Sequence, residues 1–188
     1  HPEVVFRQFQ NHQMGLIEGL RDASIDVALT YDLAIPADLE FVELAVLPPF
    51  AVLSQNHPLA GRSRVSVQDL APNPMILLDL PLSAAYFLSF FEKVGVTPRI
   101  VERTQDMAVV HGLVGQDFGY SIINIKPLSN TSPDGKPLAF VPLSGVVKPM
   151  RMGLLCAAGA KSSLTVRAFV DLCHDVLSDA VMAQLTVR

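Results

Sequence analysis

Apolar positions recur along this chain at two periods, and the switch between them sketches strands and helices in turn. Val4 to Gln10 alternates as a strand does, and "HQMGLIEGLRDAS", His12 to Ser24, sets Met14, Leu16, Ile17 and Leu20 on the apolar side of a short helix. "IDVALTY", Ile25 to Tyr31, reads as a buried strand, a second spans Phe41 to Leu47, and another starts at Phe50. A polar, proline-punctuated connector then runs from Leu53 to Met75, within which "SVQDLA" predicts one helical turn capped by Ser66.

The pattern restarts beyond Pro74. "MILLDL" predicts a strand, "SAAYFLSFFEKVG" a helix capped by Ser83 and ended by Gly95, and "RIVER" the next strand. Asp106 to Val114 carries a helical stripe, "GQDFGYSIIN" a tight turn into a short apolar strand, and "KPLSNTSPDGKP" a loop whose Pro133 and Gly135 suit a turn. "LAFVPL" and "RMGLLCAA" predict two more strands. The longest helical pattern closes the chain, "SLTVRAFVDLCHDVLSDAVMAQL", with Leu164, Phe169, Leu172, Val176 and Leu177 marking its apolar face. Strands alternating with helices predict an α/β fold. With the last helix returning to the start, residues 1–74 and 149–188 form a first lobe and residues 75–148 a second. These are two Rossmann-like lobes, joined by two crossings around a ligand cleft.

Composition sharpens this picture. The 188 residues are 50% hydrophobic, enough to bury a core, and the net charge of -4 lacks the broad positive field that grips nucleic acid. Proline, glycine or charge breaks every apolar run before the roughly 20 residues a membrane span needs. The opening "HPEVVFRQFQ" has no secretory-signal pattern, so a cytoplasmic setting is expected. Cys156 and Cys173 sit in apolar surroundings and are expected as buried thiols, with pairing left open.

Catalytic chemistry finds little support. The five histidines form neither "HExxH" nor a compact His/Cys set, "GYSII" is not "GxSxG", and "GQDFG" lacks the lysine and hydroxyl of a phosphate-binding loop. No enzyme, metal or cofactor is expected. His57, beside Pro58, suits a hydrogen-bonded or solvated turn. A binding cleft fits better. Ser83 and Thr104 precede apolar helical segments, where hydroxyls and free backbone amides receive a carboxylate, unless they serve only as helix caps. Gln10 and Asn11 end a strand candidate where ligand-facing loops begin, or are plain solvated turn residues. Asn124 closes "YSIIN" and either reaches the same cleft or makes a local turn bond.

Three ordered segments carry a family resemblance: "LSQNHPLAGRSRVSVQDLA", "GLRDASIDVALTY" with Leu20, Ile25, Asp26 and Ala28 in place, and "GLVGQDFGYSIIN". Together they resemble the effector-binding domain of LysR-type transcriptional regulators. The resemblance implies a type 2 periplasmic-binding-protein-like fold that binds a small organic or aromatic acid through Gln10, Asn11, Ser83, Thr104 and Asn124. It also implies an absent N-terminal winged helix-turn-helix for promoter DNA, self-association as dimer or tetramer, and RNA polymerase as a further partner. His57 falls on the family's "HPL" position and is given structural work. This chain departs from the family in having Asp117 where relatives place glycine, Asn124 where many carry proline, and no strand and helix ahead of "HPEVVFRQF". A periplasmic-type solute-binding protein is the alternative reading. An enzyme with an open α/β cleft and an effector-insensitive assembly domain stand behind it.

Overall fold

The computed structural model describes residues 3–159, 163–177 and 179–187. The chain folds as two compact units, one of His1–Val46 with Arg151–Val181, the other of Leu47–Met150 with Met182–Arg188.

In the first unit, α1 (Gln13–Arg21) leads to β1 (Ala28–Tyr31) and β2 (Leu39–Leu47), and β9 (Met150–Ala157) returns between them to give the order β1-β9-β2. Successive residues of β9 face opposite sides, which lets one strand serve two layers. Leu155 packs with Ile17 and Leu20 of α1, while Leu154 packs with Val166 and Val170 of α5 (Leu164–Val176). Gly153 is obligatory there, because a Cβ would lie 2.2 Å from the Val42 carbonyl oxygen.

Two expectations fail in this unit. Val4 to Gln10 forms no strand and stays exposed, since no described strand pairs with it; Phe6 instead stacks on Phe169 with ring centroids 5.9 Å apart. The long final helix is two helices, α5 and α6 (Asp179–Leu185), and α5 buries Val166 and Val170, against which Phe169 of the expected stripe also packs. Leu164 is 78% exposed, and Leu172 and Val176 are also exposed.

The second unit holds β3 (Phe50–Ser54), β4 (Val65–Ser66), α2 (Val67–Leu70), β5 (Pro74–Leu78), α3 (Ser83–Glu92), β6 (Arg99–Thr104), α4 (Met107–Gly115), β7 (Ser121–Ile123) and β8 (Leu138–Ser144). The strand order β4-β8-β3-β7 is carried on toward the parallel pair β5-β6 by one parallel bridge, Met75 to Tyr120. β5 is apolar throughout because both its faces are covered. Met75 and Leu77 meet Phe87, Phe90 and Phe91 of α3, while Ile76 and Leu78 meet Val110 and Val114 of α4. Each fully buried side chain of this size contributes on the order of 1.5–3 kcal/mol relative to exposure.

The expected boundary near residue 74 falls at Val46/Leu47 instead, because β3 hydrogen-bonds to both β7 and β8. Residues 149, 150 and 182–188 also join the second unit, where the Lys126 amide donates to the Leu185 carbonyl.

Local signals explain several ends. Ser66 and Asp69 make a reciprocal capping box on α2. Gly95, at φ +71°, ends α3: its N–H donates to Glu92 and that of Val96 to Phe91, the Schellman pattern.

Candidate functional site

β5 and β6 run parallel, and the Met75–Tyr120 bridge sets β7 parallel to β5, so their carboxyl ends open on one edge of the second unit. In open α/β sheets that edge is where ligands bind, since helix N-termini and loops converge on it. Thr104 is the last residue of β6, and its carbonyl accepts the Asp79 amide at 2.8 Å, tying the end of β6 to the end of β5. Asn124 directly follows β7, and Ser83 opens α3 beyond the β5 loop. Three of the five expected residues therefore share this edge.

Neither hydroxyl caps its helix. Leu82, at φ +70°, holds the N-cap position of α3 without a side-chain bond, which leaves Ser83 one residue inside. The Ser83 hydroxyl is half-buried and has no partner among the described residues. Asp106 caps α4 by accepting the Ala108 amide at 2.7 Å, and Thr104 Oγ1 accepts the Asp106 amide at 3.2 Å. The edge thus carries a free hydroxyl at Ser83 and a threonine oxygen engaged in a local turn.

Asn124 is 5% exposed. Its Nδ2 donates to the Leu47 carbonyl at 2.8 Å and to the Tyr86 hydroxyl at 3.1 Å, while Oδ1 is buried without a partner. Both occupied positions need a donor, which fixes the orientation of the amide. An unpartnered buried acceptor costs about 1–3 kcal/mol, so Asn124 is not an ordinary turn residue.

Gln10 and Asn11 belong to the first unit, and both are exposed. Asn11 Oδ1 accepts the His12 amide at 2.9 Å, and His12 Nδ1 caps α1 by accepting the Gly15 amide at 3.2 Å. Ahead of α1 the chain is therefore arranged by side-chain bonds in a turn rather than by a strand end.

Two of the sequence motifs meet in the second unit. Asp117, at φ +63°, accepts the Ser54 hydroxyl and, at 3.3 Å, the Asn56 side-chain amide. Those bonds, strengthened by the nearby His57, hold its carboxyl below the usual carboxylate range. His57 Nδ1 accepts the Leu59 amide at 3.1 Å, and burial lowers its pKa against an opposing pull from Asp117. The structural role expected of His57 is visible in that turn.

Sequence reading missed Asp79, Asp106 and Tyr86. Tyr86 left one usable trace, a phenol hydroxyl within the largely apolar run "AAYFLSFF". A groove of about 410 Å³ in the second unit is lined by Pro48, Pro49, Arg64, Pro142, Val147 and Pro149 among others, and none of the five expected residues lines it. No helix among the described residues is long and apolar enough to cross a membrane. No described group of three His, Cys, Asp or Glu side chains is placed to hold a metal ion.

Comparison with known proteins gives this edge its context. HinK, a LysR family transcriptional regulator from Pseudomonas aeruginosa, is 34% identical over 94% of this chain and 62% of its own, with a TM-score of 0.88. The HTH-type transcriptional regulator YybE of Bacillus subtilis is 25% identical over 124 residues, 65% of this chain and 42% of YybE. This chain thus spans less than two thirds of either regulator. The effector binding domain of QuiR in complex with shikimate shares the fold, with a TM-score of 0.74 at 23% identity over 89% of this chain and 79% of that one. The LysR substrate binding domain model matches residues 1–178, and the chain belongs to that family.

Proposed function

We propose that this chain is the effector-sensing domain of a LysR-type transcriptional regulator and that its effector is a small organic or aromatic acid. The observation that carries the site is the convergence of Ser83, Thr104 and Asn124 on the carboxyl edge of β5, β6 and β7. The Ser83 hydroxyl and the first-turn amides of α3 other than those of Ala84 and Tyr86, which donate to Leu80 and Leu82, receive the carboxylate, favoured by the positive end of the helix dipole. Thr104 and the remaining acceptor of Asn124 add polar contacts. The shikimate held by QuiR, a hydroxylated carboxylic acid, supports this ligand class.

In this reading the whole regulator binds promoter DNA through a winged helix-turn-helix, self-associates, engages RNA polymerase and works in the cytoplasm. The negative charge of this chain agrees with DNA binding lying elsewhere in the protein. An effector changes the response only through a difference in its affinity for two states of the assembly. The test is promoter binding by the full-length protein, titrated with shikimate, benzoate and short aliphatic carboxylates. A saturable change in DNA affinity or footprint is expected. Specific DNA binding that no acid alters would contradict the proposal.

A further inference from the structure

Two segments carry the chain between its units, Val46 to Pro49 and Lys148 to Arg151. Both have the same local chemistry. Leu47 precedes Pro48 and Pro49, and Lys148 precedes Pro149. Proline has no N–H and holds the residue before it extended, so Pro48, Pro49 and Pro149 offer no backbone donor. Side chains supply further bonds. The Tyr86 hydroxyl donates to the Lys148 carbonyl at 2.6 Å and accepts from Asn124 Nδ2 at 3.1 Å, and that same Nδ2 donates to the Leu47 carbonyl at 2.8 Å. One unbroken run of three hydrogen bonds thus joins Leu47, Asn124, Tyr86 and Lys148.

The anchor of this run is rigid. The Tyr86 ring packs edge-on against Phe87 and Phe90, with centroids 5.0 and 4.8 Å away, and both phenylalanines are buried in the core beneath α3. Tyr86 also lies three residues after Ser83 in α3, which places the two on neighbouring positions of one helix face. We propose that Tyr86 is a positioning residue that fastens both connecting segments to the second unit, Lys148 directly and Leu47 through Asn124. A shift of the first turn of α3 then moves both connections together. The inference rests on these hydrogen bonds and holds whether or not the effector reading does.

The test is backbone hydrogen exchange followed by mass spectrometry on the full chain and its Tyr86→Phe variant, which keeps the ring and its packing. Peptides covering residues 44–53 and 143–153 should both exchange at least about fivefold faster in the variant, with residues 75–78 and 110–114 unchanged. Acceleration in only one window would overturn the joint fastening, as would no change in either. Uniform acceleration across the second unit would mean general loosening and would equally overturn it. A failed effector titration leaves this exchange result untouched, so the two failures are distinguishable.

Discussion

The buried hydroxyl of Ser54 donates to the carboxylate of Asp117, joining two motifs that lie 63 positions apart in the chain. Asp117 sits at φ +63°, a conformation that favours glycine, and here it exchanges backbone ease for two side-chain acceptors. Asp117→Ala loses both acceptors and keeps a Cβ in the left-handed region, so it should lower the melting temperature most. Asp117→Gly, which loses only the acceptors, should lower it less. Ser54→Ala removes the bond to the charged carboxylate and the one that Oγ accepts from the Asn56 amide at 3.1 Å, and should cost about 2 kcal/mol. Thermal unfolding of the three variants checks the order.

Gly119 approaches Pro74 so closely that an added Cβ would lie 2.4 Å from its carbonyl oxygen. That carbonyl accepts the Tyr120 amide at 2.9 Å, one of the two bonds that join β7 to β5. Gly119→Ala should therefore destabilise the second unit by about 2 kcal/mol or more, in the range of overpacked cores. Urea unfolding would measure it.

Tyr120 is buried in the core of the second unit with its hydroxyl unpartnered, and burial pushes its pKa well above the ordinary value. Removing an unsatisfied polar group costs nothing in contacts, so Tyr120→Phe should leave stability unchanged or raise it by up to about 1 kcal/mol. A clear loss of stability would show that the hydroxyl has a partner.

Burial lowers the pKa of both His57 and His111 below the ordinary 6.5, with Asp117 partly opposing it at His57. The folded protein favours the neutral rings, so the unfolded chain binds protons first as pH falls. Stability should decline below about pH 6.5 and level off once pH passes beneath the depressed folded values. His111→Leu removes one of the two groups and should flatten that slope in melting curves taken between pH 7 and 5.

Short-range chemistry was legible before the fold was known. Ser66 with Asp69, and Gly95, act within a few residues, and each takes its expected place. The partition of the chain was not legible, because β3 finds its partners β7 and β8 about 70–90 residues later. Helix α5 shows why periodicity can choose the wrong face: Leu164, Leu172 and Val176 satisfy it and stay exposed, but so do Val166, Val170 and Cys173, and these pack together with Phe169 of the expected stripe. Leu82 at the N-cap of α3 was hidden too, since an apolar side chain at positive φ leaves no trace in composition. The edge that gathers Ser83, Thr104 and Asn124 follows from strand direction, which one sequence does not state.

The most direct measurement is isothermal titration of this chain with shikimate, benzoate and short aliphatic carboxylates, alongside its Ser83→Ala variant. The account predicts saturable binding of at least one of these acids, weakened about tenfold in the variant, as the loss of one hydrogen bond to a charged group implies. Binding of none of them by cooperatively folded protein, or equal binding by the variant, would contradict it.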